Sequence, residues 1–182
     1  MKKILLIVAL TFGLQAGGYN KMKKACDARH GESCIDLGML YQTGQGVGQS
    51  YKKAKSYYNK ACDLKYSEGC ISFGDLYYFG QGTEQNNSKA AIYYAEACKL
   101  HNSDGCSHLG DLYYTDAWAE HNNTKAKHYY DKSCKLGNKK GCKNLKSLLQ
   151  GNEELKHKKD ELKRLQQEND ELILEAEILD RI

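Results

Sequence analysis

Three sets of residues in this chain have types and spacings that suit chemistry: eight cysteines, one serine–lysine pair, and two asparagines in acidic contexts. The cysteines are Cys26, Cys34, Cys62, Cys70, Cys98, Cys106, Cys134 and Cys142, with spacings that alternate 8 and 28. Zinc sites use cysteines two to four residues apart, so this lattice predicts no metal. Disulfides remain, and eight cysteines allow 105 pairings. In antiparallel helices, residues equidistant from a turn face each other. Cys26 and Cys34 centre on His30-Gly31, whereas Cys34 and Cys62 centre near Gly48. Pairing at 28 strands Cys26 and Cys142; pairing at 8 uses every cysteine, as Cys26–Cys34, Cys62–Cys70, Cys98–Cys106 and Cys134–Cys142. Each such loop contributes about 2–3 kcal/mol in the chain-entropy account.

Ser50-Tyr51-Lys52-Lys53 has the S-x-x-K spacing, in which a lysine one helical turn on can activate a serine. No S-D-N or K-T-G segment accompanies it. Ser50 reads better as a helix N-cap, with Ser88 and Thr124 in the same role later in the chain. No catalytic residue is assigned. His30, His101, His108, His121, His128 and His157 form no HxH or HExxH pattern, and no cofactor is expected. Glu84-Gln85-Asn86-Asn87-Ser88 and Glu120-His121-Asn122-Asn123-Thr124 share an acidic-x-N-x-S/T pattern. It is similar to the extended acceptor of bacterial periplasmic N-glycosylation, which makes Asn86 and Asn122 candidate modification sites. Ordinary turn and cap chemistry is the alternative.

The elements that carry these residues repeat with the cysteines. Gly38, Gly74 and Gly110 are 36 apart, as are Leu37, Phe73 and Leu109, and Tyr41, Tyr77 and Tyr113. Ala54, Ala90 and Ala126 keep the period, with Tyr57-Tyr58, Tyr93-Tyr94 and Tyr129-Tyr130. A period of this size means stacked supersecondary units that bury their apolar faces only against neighbours. Apolar spacing predicts a first helix from about Ser33 to Thr43, a break at Gly44-Gln45-Gly46, and a second helix from about Ser50 to Leu64. A recurrent mid-helix glycine costs roughly 1 kcal/mol against alanine, so it points to a close helix approach. Tyr41, Tyr57 and their equivalents read as core.

These residues resemble the Sel1-like repeat family, relatives of tetratricopeptide repeats. The pattern is Leu37-Gly38-x-x-Tyr41-x-x-Gly44-x-Gly46-Val47 followed by Lys53-Ala54-x-x-Tyr57-Tyr58-x-x-Ala61. It recurs from Phe73-Gly74 and from Leu109-Gly110, although Asp116 and Trp118 replace the loop glycines of the third copy. Cysteines at two packing positions make this variant similar to the Helicobacter cysteine-rich protein family, over about residues 20–150. The resemblance implies an all-α, right-handed αα-hairpin solenoid cross-linked by disulfides. It also implies penicillin binding or slow β-lactamase activity, for which the residues above show no machinery.

Lys2-Lys3, the apolar run Ile4 to Leu14 and the small residue Ala16 read as a signal peptide over 1–16, hence a secreted or periplasmic protein. The repeat solenoid is assigned to 17–150 and a coiled-coil helix to 151–182. The tail from Gly151 carries 6 Lys and Arg against 10 Asp and Glu, and the leader carries +2, so of the net +4 the repeat segment holds +6. Arg29 is the one arginine in 19–150, which speaks against nucleic acid as a partner. First helices line the inner face of such solenoids. Their free positions are Asp36, Met39 and Gln42, then Ser72, Asp75 and Tyr78, then His108, Asp111 and Tyr114. This row is the expected groove for a peptide, peptidoglycan fragment or protein partner, and Asp75 and Asp111 favour a cationic or amide-bearing one. In the tail, Leu155, Leu162, Asn169 and Ala176 take heptad position a, and Lys158, Leu165, Leu172 and Leu179 take position d. Self-association through 155–182 and a lone helix laid on the solenoid are both open. The alternative to a groove-binding protein is therefore an envelope scaffold assembled through this tail.

Mass spectrometry of the native protein checks these expectations together. The denatured mass should begin near Gly17 and lack two hydrogens per bridge. A glycan at Asn86 or Asn122 adds to it, and an unmodified mass removes that reading. Self-association through the tail would give a dimer in the native mass that disappears on deletion of 152–182, and a mass unchanged by the deletion removes that reading.

Overall fold

The computed structural model describes residues 17–115 and 122–179, with the backbone alone for 172–179. The leader 1–16, the segment 116–121 with Asp116, Trp118, Glu120 and His121, and residues 180–182 lie outside the described residues. Every regular element described is helical: α1 (17–27), α2 (Gly31–Thr43), α3 (Tyr51–Asp63), α4 (Ser67–Tyr78), α5 (Asn87–Lys99), α6 (Ser103–Tyr114), α7 (Asn123–Lys135) and α8 (Lys139–Leu179). The pairs α2–α3, α4–α5 and α6–α7 form hairpins. The first helices α2, α4 and α6 also touch one another in succession, whereas the second helices α3, α5 and α7 do not. The array therefore curves toward the first helices, which form its inner layer.

Two kinds of turn build the array. The longer loop ends where the cap residue's N–H donates to the carbonyl of the inner-helix tyrosine: Ser50 to Tyr41, Asn86 to Tyr77 and Asn122 to Tyr113, each at 2.8 Å. The same residues cap the second helices, their side chains accepting from Lys53, Lys89 and Lys125 N–H. This corrects the cap expectation. Ser50 is a cap, but Ser88 and Thr124 lie one residue inside their helices; the in-phase caps are Asn86 and Asn122. Asparagine and serine are near-equal caps, so composition alone could not fix the register.

The shorter turn is the one the cystines close. Arg29, Lys65, His101 and Gly137 adopt left-handed backbone at φ 70°, 68°, 61° and 89°. The next residue's N–H returns to the carbonyl of Ala25, Ala61, Ala97 or Ser133. Across each turn the four bridges form as the parity argument expects, with Cα atoms 4.5–4.8 Å apart. Each joins the second helix of one unit to the first of the next. The chemistry of the residue at the left-handed position, three times a non-glycine, costs about 1–2 kcal/mol, and the cystine helps hold it.

The mid-helix glycines admit a ring rather than a neighbouring backbone. A Cβ at Gly74 would stand 2.7 Å from the Tyr94 ring, and one at Gly110 would stand 2.6 Å from that of Tyr130. Gly38 faces Tyr58 in the same way. Tyr58, Tyr94 and Tyr130 are accordingly buried, beside Leu37, Leu76, Leu109 and Leu112. Tyr41, Tyr77 and Tyr113 stack on Tyr57, Tyr93 and Tyr129, centroids 5.6–5.8 Å apart. The first of each pair is more buried than the second, except in the third hairpin, where both are half-buried.

The chain divides into two compact units, the first ending at Cys142 and the second comprising residues 143–182. In the second unit Leu155, Leu162 and Leu165 are exposed.

Gly74→Ala should lower stability by about 1–3 kcal/mol, because the Tyr94 ring has to move. Gly151→Ala, whose Cβ meets nothing within 4 Å, should instead be neutral or stabilising by up to about 1 kcal/mol. Chemical denaturation of both variants checks the contrast.

Candidate groove between the second and third repeats

The buried tyrosine of each hairpin carries its hydroxyl through to the inner face, and what it meets there differs between repeats. Tyr58 donates to Gln42 Oε1 at 2.6 Å. Tyr94 donates to Asp75 Oδ1 at 2.6 Å, and Tyr130 to Asp111 Oδ1 at 2.8 Å. The switch follows from one position: Met39 stands where the later repeats have Asp75 and Asp111. With no carboxylate at 39, the hydroxyl turns to an amide one helical turn further along.

Burial raises two of these phenols. Tyr58 is pushed up to about 12, by desolvation first and the charge of Asp75 second. Tyr94 goes higher still, through desolvation, its bond to Asp75 and the negative charges of Asp75 and Asp111. Both hydroxyls therefore keep their protons and act as fixed donors at neutral pH.

Between the second and third repeats the inner face opens into a cavity of about 360 Å³, lined by Asp75, Tyr78, Phe79, Tyr94, His108, Asp111, Leu112 and Lys140. Lys140 Nζ donates to Asp111 Oδ2 at 2.8 Å. Asp75 Oδ2 has no hydrogen-bond partner, and His108 Nδ1 is buried without one. His108 meets Tyr94 edge to face, centroids 5.1 Å apart, and the Tyr78 and Phe79 rings meet the same way at 4.9 Å.

Of the nine expected groove residues, Asp75, Tyr78, His108 and Asp111 come together here. Asp36, Met39, Ser72 and Tyr114 do not line this cavity. Asp36 and Met39 are exposed on the first repeat, and Tyr114 is exposed beyond the cavity. Gln42 is committed to Tyr58 and, through its amide, to Gln81 Oε1 at 2.9 Å. Sequence reasoning missed Phe79, Tyr94, Leu112 and Lys140. Tyr94 belongs to the repeated tyrosine pairs, and the in-phase Gly74 that admits its ring was a usable signal. Lys140 carried no signal, since it lies beyond the last repeated motif.

The serine–lysine pair does not assemble a nucleophile. Ser50 Oγ accepts from Lys53 N–H, and Lys53 Nζ rests over the Tyr41 ring, 4.7 Å from its centroid. Among the described residues no three His, Cys, Asp or Glu side chains are grouped to hold a metal, and no helix is long and apolar enough to cross a membrane.

The model of the Sel1 repeat matches residues 31–66, 67–102 and 103–138. The chain belongs to the Sel1 repeat family. The three matched Sel1 units start at successive inner helices, so each is one hairpin and its following cystine turn. Among solved structures, the chain is similar to c5321, described as a protective antigen of uropathogenic Escherichia coli with an SLR fold, at 23% identity and TM-score 0.65. That match covers 74% of this chain and 29% of the other. It is similar to a Sel1 repeat protein from Oxalobacter formigenes, at 21% identity and TM-score 0.63, covering 70% and 96%. It is also similar to Helicobacter pylori cysteine rich protein B, at 30% identity and TM-score 0.54, covering 68% and 94%. The first two likenesses show the Sel1 fold; the third also bears out the resemblance to the cysteine-rich variant. No curated protein matches the chain in sequence.

The phenol shifts give a signed pH dependence. A pKa raised above the unfolded value of about 10 contributes stability below pH 10 that is lost as pH rises through the folded value. Denaturation midpoints should fall from about pH 10 toward about 12, the folded value of Tyr58. Tyr58→Phe should flatten part of that decline, and an unchanged profile would contradict the assignment.

Proposed function

We propose that the chain works outside the cytoplasm, secreted or periplasmic after removal of 1–16, as a binding scaffold. It holds a peptide, a peptidoglycan-like fragment or a segment of a protein partner against its inner helices. The observation that carries this reading is the cavity itself. An open cleft lined by aromatic rings, holding the unpaired Asp75 Oδ2 and the unpartnered His108 Nδ1, is the usual composition of a recognition site. Four bridges fit an oxidising compartment, and they fix the inner helices before any partner arrives, which limits the ordering cost of binding.

Penicillin binding or slow β-lactam hydrolysis is what the resemblance to the Helicobacter cysteine-rich proteins implies. A groove suited to peptidoglycan-like peptides could hold a β-lactam without a catalytic serine, and a turnover assay that survives Ser50→Ala would exclude that serine from any activity. A second reading, assembly of an envelope scaffold, is favoured by the exposed Leu155, Leu162 and Leu165 of α8. They occupy the a, a and d positions of the heptad register and offer a seam to a second copy of the chain. The in-phase asparagines Asn86 and Asn122 remain candidate glycan acceptors, although each spends its side-chain oxygen on a helix cap.

A photo-cross-linking residue at Phe79, which is 63% exposed, should capture a discrete partner from the envelope. The same residue at Ile92, 64% exposed on α5, serves as the control. Equal adducts from the two positions, or none from either, would overturn the groove reading.

A further inference from the structure

We propose that the cleft between the second and third repeats is an anchor pocket for a cationic side chain, the guanidinium or ammonium of an arginine or lysine in the bound segment. The assignment rests on the groove reading above and adds to it the charge of what is bound.

The repeat supplies an internal comparison. One period earlier, neutral groups span the equivalent interval: Gln42 takes the Tyr58 hydroxyl at 2.6 Å and reaches across to Gln81 at 2.9 Å. In the open interval the residue in phase with Met39 is Asp75, and the residue in phase with Gln42 is Tyr78. An amide plug is thus replaced by a carboxylate beside an aromatic wall, in the same frame.

Among the described residues lining the open interval, carboxylates outnumber ammonium groups. Asp111 is met by Lys140 Nζ and by the Tyr130 hydroxyl. Asp75 receives only a neutral phenol on Oδ1. Among the described residues that line this interval, two carboxylates, Asp75 and Asp111, face one ammonium, Lys140, and Asp75 Oδ2 is the carboxylate oxygen that receives no hydrogen bond. Such a half-buried carboxylate in a cleft gains from a cation brought by a ligand. The rings suit the same guest, because cations favour aromatic faces, and Tyr78 and Phe79 stand together at the mouth. Elsewhere this chain uses that contact itself: Lys53, Lys55, Lys89 and Lys125 lie 4.5–5.3 Å from tyrosine centroids.

The test is a titration of the full disulfide-bonded chain, followed by backbone amide NMR. The probes are N-acetyl-arginine amide and N-acetyl-lysine amide, with N-acetyl-norleucine amide as neutral isostere and N-acetyl-glutamate amide as anion. The cationic probes should shift the amides of Asp75, Tyr78, Phe79 and His108 and bind about tenfold tighter than norleucine. Asp75→Asn keeps an acceptor for Tyr94 and should abolish that preference. Lys140→Met, which removes the cation paired with Asp111, should strengthen it and serves as the second variant if Asp75→Asn misfolds. Norleucine binding as well as arginine, glutamate binding best, no response to any probe, or a preference unchanged in Asp75→Asn would each overturn the cationic assignment. Cross-linking from position 79 would then still stand or fall by itself, so loss of the charge reading and loss of the groove reading are distinguishable.

Discussion

The seating of a tyrosine ring against a glycine of the facing helix is the contact on which the rest of this structure depends. Any Cβ at Gly38, Gly74 or Gly110 would overlap the ring of Tyr58, Tyr94 or Tyr130. Removing it lets two helices of each hairpin close on an aromatic core, and the buried area offsets the glycine's roughly 1 kcal/mol helix penalty. The same geometry carries the phenol oxygen through the hairpin to the inner face. One contact thus sets the core and also delivers a fixed donor to the groove.

The cystines act at the other junction. A hairpin of this kind cannot bury both its faces alone, and stability in such arrays depends on unit-to-unit interfaces. Here each interface is crossed by a covalent bridge at a turn whose left-handed residue is Arg29, Lys65 or His101 in three of four cases. Tight turns and bridges recur in phase, so each unit is joined to the next in the same way. Successive clefts then differ in their side chains: Met39 and Gln42 stand in the first where Asp75 and Tyr78 stand in the second.

Much of this was legible in the residues. The period, the helix pairs, the compartment-dependent chemistry of the cysteines and their connectivity all followed from spacing and parity. The caps at Asn86 and Asn122 were missed because Ser88 and Thr124 satisfy the same local chemistry. A tertiary hydrogen bond, from the cap N–H to the inner-helix tyrosine carbonyl, sets the register that propensity leaves open. Periodicity marks which positions of the groove row face inward, and cannot say which intervals hold a cavity.

By itself, the sequence determined the architecture, since disulfide parity and helical periodicity are properties of spacing along the chain. Only the tertiary structure decided what the cysteine lattice positions. It placed Tyr94 in the cleft wall, brought Lys140 from beyond the last repeat to Asp111, and left Asp75 with an oxygen to spare. The reason is physical: whether a polar atom is satisfied depends on groups 19 to 29 residues away, and no local pattern records their distance in space.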